Sequence, residues 1–288
     1  MRILYFGIPL GALALARAGF PPAAAVVGPL DLPGRRRLRR TLPRALLLGL
    51  PNLDVPEVQA TLRSTEPDLV LSFFWPRRIP AEVLGWAPAL GTHPSLLPRW
   101  RGPDPYYWAI AAGDTKTGVT LHRLGSEYDT GPIVAQTSVA IEPDDDAWSL
   151  AKRLDRPALA LLIDAARRRA QGDPLLGTPQ DPAGVTWAPV PRAEDLAIDW
   201  RQPAETIARR VRAAAPRPGA TAQLGGAVVR VLRVALARET PPPGLMPAEA
   251  WRGAEGWCVR CGAGALRLLD VRDDDDRPLD PSAQLAGY

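Results

Sequence analysis

Only two histidines, His93 and His122, occur in the 288 residues, so imidazole chemistry has two places to happen. His93 lies in Gly91-Thr92-His93-Pro94-Ser95-Leu96-Leu97-Pro98-Arg99-Trp100-Arg101-Gly102. The residues before it end a predicted strand, and Pro and Gly crowd those after it. A strand end that opens into a rigid loop is where α/β folds place their sites. An imidazole there suits acid–base work, because its ordinary pKa lies near neutrality. His122 falls inside another predicted strand and reads as a residue lining the same pocket. Seven residues on, Tyr128-Asp129-Thr130-Gly131 forms a turn able to present a carboxylate, although Asp-x-Gly is also ordinary turn chemistry. Asp104 stands in a Pro-flanked loop and takes no role.

The elements that must position these residues follow from apolar patterning. Residues 3–6 form an apolar strand, 10–18 a helix and 23–27 a second strand. This β-α-β opening predicts a parallel sheet. Gly7 and Pro9 interrupt the first apolar stretch, so the segment reads as fold and not as a secretion signal, and a cytoplasmic protein is expected. Residues 67–74 read as a buried strand, 117–124 and 133–141 as further strands, and 145–170 as a long helix ending in Arg167-Arg168-Arg169 with Gly172 beyond. Residues 172–192 are rich in Pro and Gly, without periodicity, and read as a linker. A short helix at 203–213 precedes strands at 228–236 and 265–271, separated by turn residues such as Gly225-Gly226 and Gly262-Ala263-Gly264. This suggests a small β-barrel. The fold class is thus α/β, with a Rossmann-like, mostly parallel sheet in residues 1–180, a linker over 181–200 and an OB-like barrel over 201–288.

Composition narrows the function. No apolar run reaches the ~18–20 residues of a membrane span, so no membrane role is expected. Two cysteines exclude a disulfide scaffold. They form a single Cys258-Val259-Arg260-Cys261, half of the ligand set of a structural zinc, so no metal is expected. Lysine occurs twice and arginine carries almost all the positive charge, the bias of a GC-rich genome. The net charge of +4 permits an anionic partner without requiring one. Arg35, Arg36, Arg37, Arg39 and Arg40, with Arg44 beyond, read either as a solvated loop or as a phosphate-binding one.

The spaced motifs His93-x-Ser95-Leu96-Leu97-Pro98-x-x-Arg101-Gly102, Thr117-Gly118-Val119-Thr120-Leu121-His122 and Asp129-Thr130-Gly131 together resemble the tetrahydrofolate-dependent formyltransferases. The resemblance runs nearly full length and is closest to the two-domain members, the methionyl-tRNA and amino-sugar enzymes. It implies 10-formyltetrahydrofolate as formyl donor and a primary amine as acceptor. It also implies His93 and Asp129 as catalytic pair, and Ser95, Leu96, Leu97 and Pro98 as the folate-contacting loop. Phe73, Phe74 and Trp75 fall where a pterin wall is expected, and His122, Arg101 and Gly102 fall in the pocket.

The chain departs from the family at Gly91. The family's Asn stands two residues before the His, and the only Asn here is Asn52. Losing one oxyanion donor costs about 10²–10³ in rate. Thr92 points to the other face of an extended strand, and a water in the vacated space would substitute only in part, which leaves a slow enzyme, another donor group or a paralogue that binds without efficient transfer. Three acceptor readings stay open. The arginine run favours the charged initiator methionyl-tRNA of translation, with Arg209, Arg210 and Arg212 as further phosphate contacts. Local likeness around 72–75 and 120–124 favours a nucleotide-linked amino sugar. Gly91 favours a weakly active or non-catalytic folate-binding paralogue.

Overall fold

Near-continuous apolar runs build strands covered on both faces, as parallel sheets require. In the computed structural model, which describes residues 1–28, 34–224, 226–273 and 275–279, seven strands form one sheet. They are β1 (Ile3–Gly7), β2 (Ala24–Val27), β3 (Leu46–Gly49), β4 (Leu69–Phe73), β5 (Ala89–His93), β6 (Lys116–Arg123) and β7 (Ile133–Ala140), in the order β3-β2-β1-β4-β5-β6-β7. The pairs from β3 through β5 are parallel, and β6 runs antiparallel to β5. The order reverses between β1 and β4. In open α/β sheets, ligands bind outside the carboxyl ends of the strands at such a switch. Phe73 and His93 end β4 and β5 at that edge.

Helices α1 (Pro9–Arg17), α2 (Arg35–Thr41), α3 (Pro56–Arg63), α4 (Ala81–Leu84), α5 (Pro105–Ala112), α6 (Ala147–Ala170), α7 (Ala193–Leu196) and α8 (Ala204–Ala214) complete the α content. Phe6, Val26, Leu62, Val70 and Val83 share one core cluster, each contributing about 1.5–3 kcal/mol by burial. The arginine-rich segment read as a loop is the helix α2. Arginine is a good helix former, and Leu38 and Leu42, four apart, are both buried. Arg36, Arg37, Arg39 and Arg40 stay exposed on that helix.

Strands β8 (Ala220–Leu224), β9 (Ala227–Leu236), β10 (Ala250–Gly253), β11 (Gly256–Arg260) and β12 (Ala265–Arg272) form an antiparallel sheet in the order β10-β11-β12-β9-β8. Five strands is the number an OB-like module uses. Gly225 of the predicted Gly225-Gly226 turn and Asp274 of the acidic stretch 273–276 lie outside the described residues.

The chain forms two compact units that interleave in sequence. The first is Met1–Gly102, Thr117–Val139 and Arg153–Trp187, and the second is Pro103–Lys116, Ala140–Lys152 and Ala188–Tyr288. Within the second unit α5 packs on α8, and Tyr107 and Trp108 donate to the carbonyls of Asp195 and Pro189. Arg210 and Arg212, read from sequence as phosphate contacts, each donate one N–H to a carbonyl of their own unit, of Ala197 and Asp145 respectively. These guanidinium groups pair with backbone acceptors, the Asp145 carbonyl part-buried and the Ala197 carbonyl exposed, partners that the sequence does not display.

Candidate active site

The β5–β6 ladder pairs Gly91 with His122 and His93 with Thr120. Strand alternation puts all four on one face and Thr92 on the other. The two imidazoles are therefore diagonal neighbours, and both are buried. The loop between β6 and β7 brings Asp129 to them. Its Oδ1 lies 3.3 Å from His93 Nδ1 and 3.6 Å from His122 Nε2. Its Oδ2 accepts from the Gly102 N–H at 3.0 Å.

Burial by itself would raise the Asp129 pKa. The His93 hydrogen bond, the charges of the two rings and the Gly102 N–H outweigh it, and hold the carboxyl below the usual carboxylate range. His122 is pushed down to about 4, chiefly by burial and further by His93, with Asp129 pulling the other way. Its Nδ1 lies 3.0 Å from the Arg123 carbonyl. A carbonyl only accepts, so Nδ1 carries the proton. His93 Nε2 lies 2.7 Å from the Trp100 carbonyl. Both ring nitrogens of His93 thus face acceptors. A doubly protonated ring satisfies both, and a neutral ring satisfies one.

The loop after His93 is fastened along its length. The Ser95 hydroxyl donates to the Arg99 carbonyl. Leu97 N–H donates to Thr120 Oγ1 at 3.0 Å, and Gln136 Nε2 donates to the Leu97 carbonyl at 2.9 Å. Trp100 N–H and Arg101 N–H both bond Thr186, at its hydroxyl and its carbonyl. Ser95 and Leu97 are buried, and the Leu96 side chain packs over Gly118. Phe74, Trp100 and Asp129 hold left-handed φ of +53°, +61° and +58°. Each costs on the order of 1–3 kcal/mol, so surrounding contacts must enforce it.

Of the three aromatic candidates, Phe73 is fully buried and supports Phe74 edge-to-face at 4.7 Å between ring centres. Trp75 stands edge-on to Phe6 at 5.6 Å. Phe74, 42 % exposed, is the aromatic presented to solvent. The Arg101 guanidinium bonds Gln180. Arg35, Arg36, Arg37, Arg39 and Arg40 lie on α2, not on the β5–β6 ladder that holds the imidazoles. The space beside Gly91 does not await a water. A Cβ there would lie 2.7 Å from Leu124 Cδ2, so a leucine side chain fills it. Leu124 is two residues beyond His122, and its backbone N–H bonds the Ala89 carbonyl. That places it diagonally across the ladder from Gly91.

Gln136, Gln180 and Thr186 take no site role in the sequence reading, because their side chains act on partners distant in the chain: Gln136 on Leu97, Gln180 on Arg101, Asp129 and Gly131, and Thr186 on Trp100. A cavity lined by Arg217, Arg233, Arg272, Asp146 and Asp270 lies in the second unit and contains none of the imidazole–carboxylate cluster. Cys258 and Cys261 are buried free thiols, and burial pushes the Cys261 thiol up to about 11. Among the described residues no group of His, Cys, Asp and Glu is arranged to hold a metal ion, and no helix is long and apolar enough to cross a membrane.

Fold and site together define an α/β protein with an imidazole–carboxylate pair at the carboxyl edge of a switch-point sheet. Residues 50–166 match the formyl transferase model, and residues 192–288 match the formyl transferase C-terminal domain. The methionyl-tRNA formyltransferase of Burkholderia ambifaria (strain MC40-6) is 35% identical over 312 residues, covering 100% of this chain and 94% of that protein. The chain belongs to the formyl transferase family. Two solved structures share its fold. One is the N-formyltransferase of Helicobacter canadensis in complex with folinic acid and dTDP-3-aminofucose, with TM-score 0.70, 13% identity, and coverage of 97% of this chain and 100% of that one. The other is HypX of Aquifex aeolicus in complex with tetrahydrofolic acid, with TM-score 0.68 and 23% identity. It covers 98% of this chain, which spans about half the length of HypX, 46% of it.

Proposed function

We propose that this chain transfers a formyl group from 10-formyltetrahydrofolate to a primary amine, and that the amine is the α-amino group of methionyl-tRNA. The observation that carries the chemistry is the 3.3 Å contact between His93 Nδ1 and Asp129 Oδ1 at the sheet edge. The amine nitrogen attacks the formyl carbon, the bond from that carbon to N10 breaks, N10 gains a proton and the amine loses one. His93 handles the proton. Asp129 holds the ring by Nδ1 and stabilises its charged form, leaving Nε2 as the nitrogen that exchanges the Trp100 carbonyl for reacting atoms. The Gly102 N–H keeps the carboxylate turned towards the rings.

The tethered loop, with Ser95 and Leu97 buried, Leu96 and Pro98 half-buried and Phe74 exposed at the neighbouring strand end, suits a flat pterin ring that needs an apolar wall. Full-length similarity to a methionyl-tRNA formyltransferase supports the tRNA acceptor. So do the exposed arginines of α2, since phosphate contacts dominate nucleic-acid affinity. A second reading, a folate binder with weak or no transfer, is favoured by Leu124 standing where the family's oxyanion amide would be.

The test is single-turnover formyl transfer from 10-formyltetrahydrofolate to charged initiator methionyl-tRNA at low salt. Transfer well above the enzyme-free control is expected. Transfer only to a nucleotide-linked amino sugar would overturn the acceptor, and folate binding without transfer to either amine would leave the binding reading.

A further inference from the structure

Gln180 lies in the Pro- and Gly-rich stretch that reads from sequence as a linker. Its amide is fully used. Oε1 accepts from Arg101 Nε at 3.1 Å and Nη2 at 2.7 Å, while Nε2 donates to the carbonyls of Asp129 and Gly131, both at 2.8 Å. A side-chain amide offers two donors and two lone pairs, so no capacity remains. The partners also fix its orientation, because the flipped amide would set oxygen against two carbonyls and N–H against a guanidinium.

These four bonds join the two segments that hold the Asp129 carboxylate. One segment is Arg101 and Gly102, whose N–H holds Oδ2. The other is the strained turn at Asp129, φ +58°. The turn is confined from below as well. A Cβ on Gly131 would lie 1.9 Å from the Arg123 carbonyl oxygen, so the chain there sits directly on β6. We infer that Gln180 is a positioning residue for Asp129: it touches no reacting atom, and sets the carboxylate against both imidazoles by tying residues 101–102 to residues 129–131. This rests on the assignment of Asp129 as the carboxylate that orients His93.

Glutamate is the informative substitution. Gln180→Glu keeps an acceptor for Arg101 and so retains one half of the link. It places a carboxylate oxygen against two carbonyls in the other half. Gln180→Met removes all four bonds without adding charge, and guards against failure of the Glu variant to fold. Each variant is made in the full chain, alone and with Asp129→Asn. Because the chain has only two histidines, ring ¹⁵N spectra report both imidazoles without ambiguity.

Both variants are expected to lower kcat about 10- to 100-fold, the scale of a displaced catalytic group, with KM for 10-formyltetrahydrofolate held within about twofold. Both ring spectra should shift. On the Asp129→Asn background either change should alter kcat by less than about twofold, since the two residues act as one unit. Ring signals that stay in place with kcat unchanged would overturn the inference. So would losses that multiply in full in the double variants, which a general packing role produces. If the wild-type chain transfers no formyl group, the acceptor reaction fails while the ring spectra still decide whether Gln180 places Asp129.

Discussion

Leu124 occupies the space that a side chain on Gly91 would need, its Cδ2 lying 2.7 Å from the position of a Cβ there. The two residues are a matched pair across the ladder. Gly91→Asn alone therefore makes the Leu124 side chain, which packs against the core cluster, shift its Cδ2. We expect the single variant to lose stability, by about 1–3 kcal/mol for overpacking, and to gain little activity. Gly91→Asn with Leu124→Ala opens the slot. If the remaining site is competent, transfer should rise towards the 10²–10³-fold that one oxyanion donor supplies. Single-turnover rates and urea midpoints of the wild type and the two variants check this.

Asp129→Asn keeps the size of the side chain and removes the charge that faces both rings. Folate affinity should persist, and the rate of transfer should fall by about 10²–10⁴, the range of a general acid–base contribution. Equal affinity measured by fluorescence titration, together with an unchanged rate, would remove Asp129 from the chemistry.

His122 links stability to pH. Its folded pKa of about 4 lies below the unfolded value of about 6.5. Between these values the unfolded chain binds more protons, so stability rises with pH across that window and is lost as pH falls through it. The whole effect is on the order of 3 kcal/mol. Asp129, held below the usual carboxylate range, continues the loss at lower pH. Denaturant midpoints from pH 4 to 7 should flatten in His122→Gln, and an unaltered slope would mean that His122 titrates normally in the fold.

The exposed arginines of α2 carry the tRNA prediction. Replacing Arg36, Arg37, Arg39 and Arg40 by Gln should weaken tRNA binding and flatten its salt dependence. The log–log slope falls by about 0.9 for each duplex phosphate that is no longer neutralised. Leu38 keeps its buried place, so thermal stability should hold. An unchanged slope would show that α2 does not meet the phosphates.

The first strands, the long helix α6 and the pair His93–Asp129 were legible because each leaves a local mark: apolar runs, a 3.6-residue period, a motif. The helix α2 was not, since five arginines mask the Leu38–Leu42 spacing that folds it. The filling of the Gly91 slot was invisible for another reason. Sequence reports a missing side chain, not which neighbour moves in, and Leu124 reaches it only through the antiparallel register of β5 and β6. Gln180 sits in a segment without periodicity, so nothing in its surroundings separated it from linker.

The ties of Gln180 and Thr186 also say where the chain can be cut and rejoined. A chimera that keeps this protein only to the end of α6 would retain all seven strands of the first sheet and both histidines. It would discard the clasp on the carboxylate turn and the anchor of Trp100 and Arg101. A cut beyond Trp187, where the first compact unit ends, keeps both ties, and the incoming module must then present a surface that α5, which packs on α8 here, can accept.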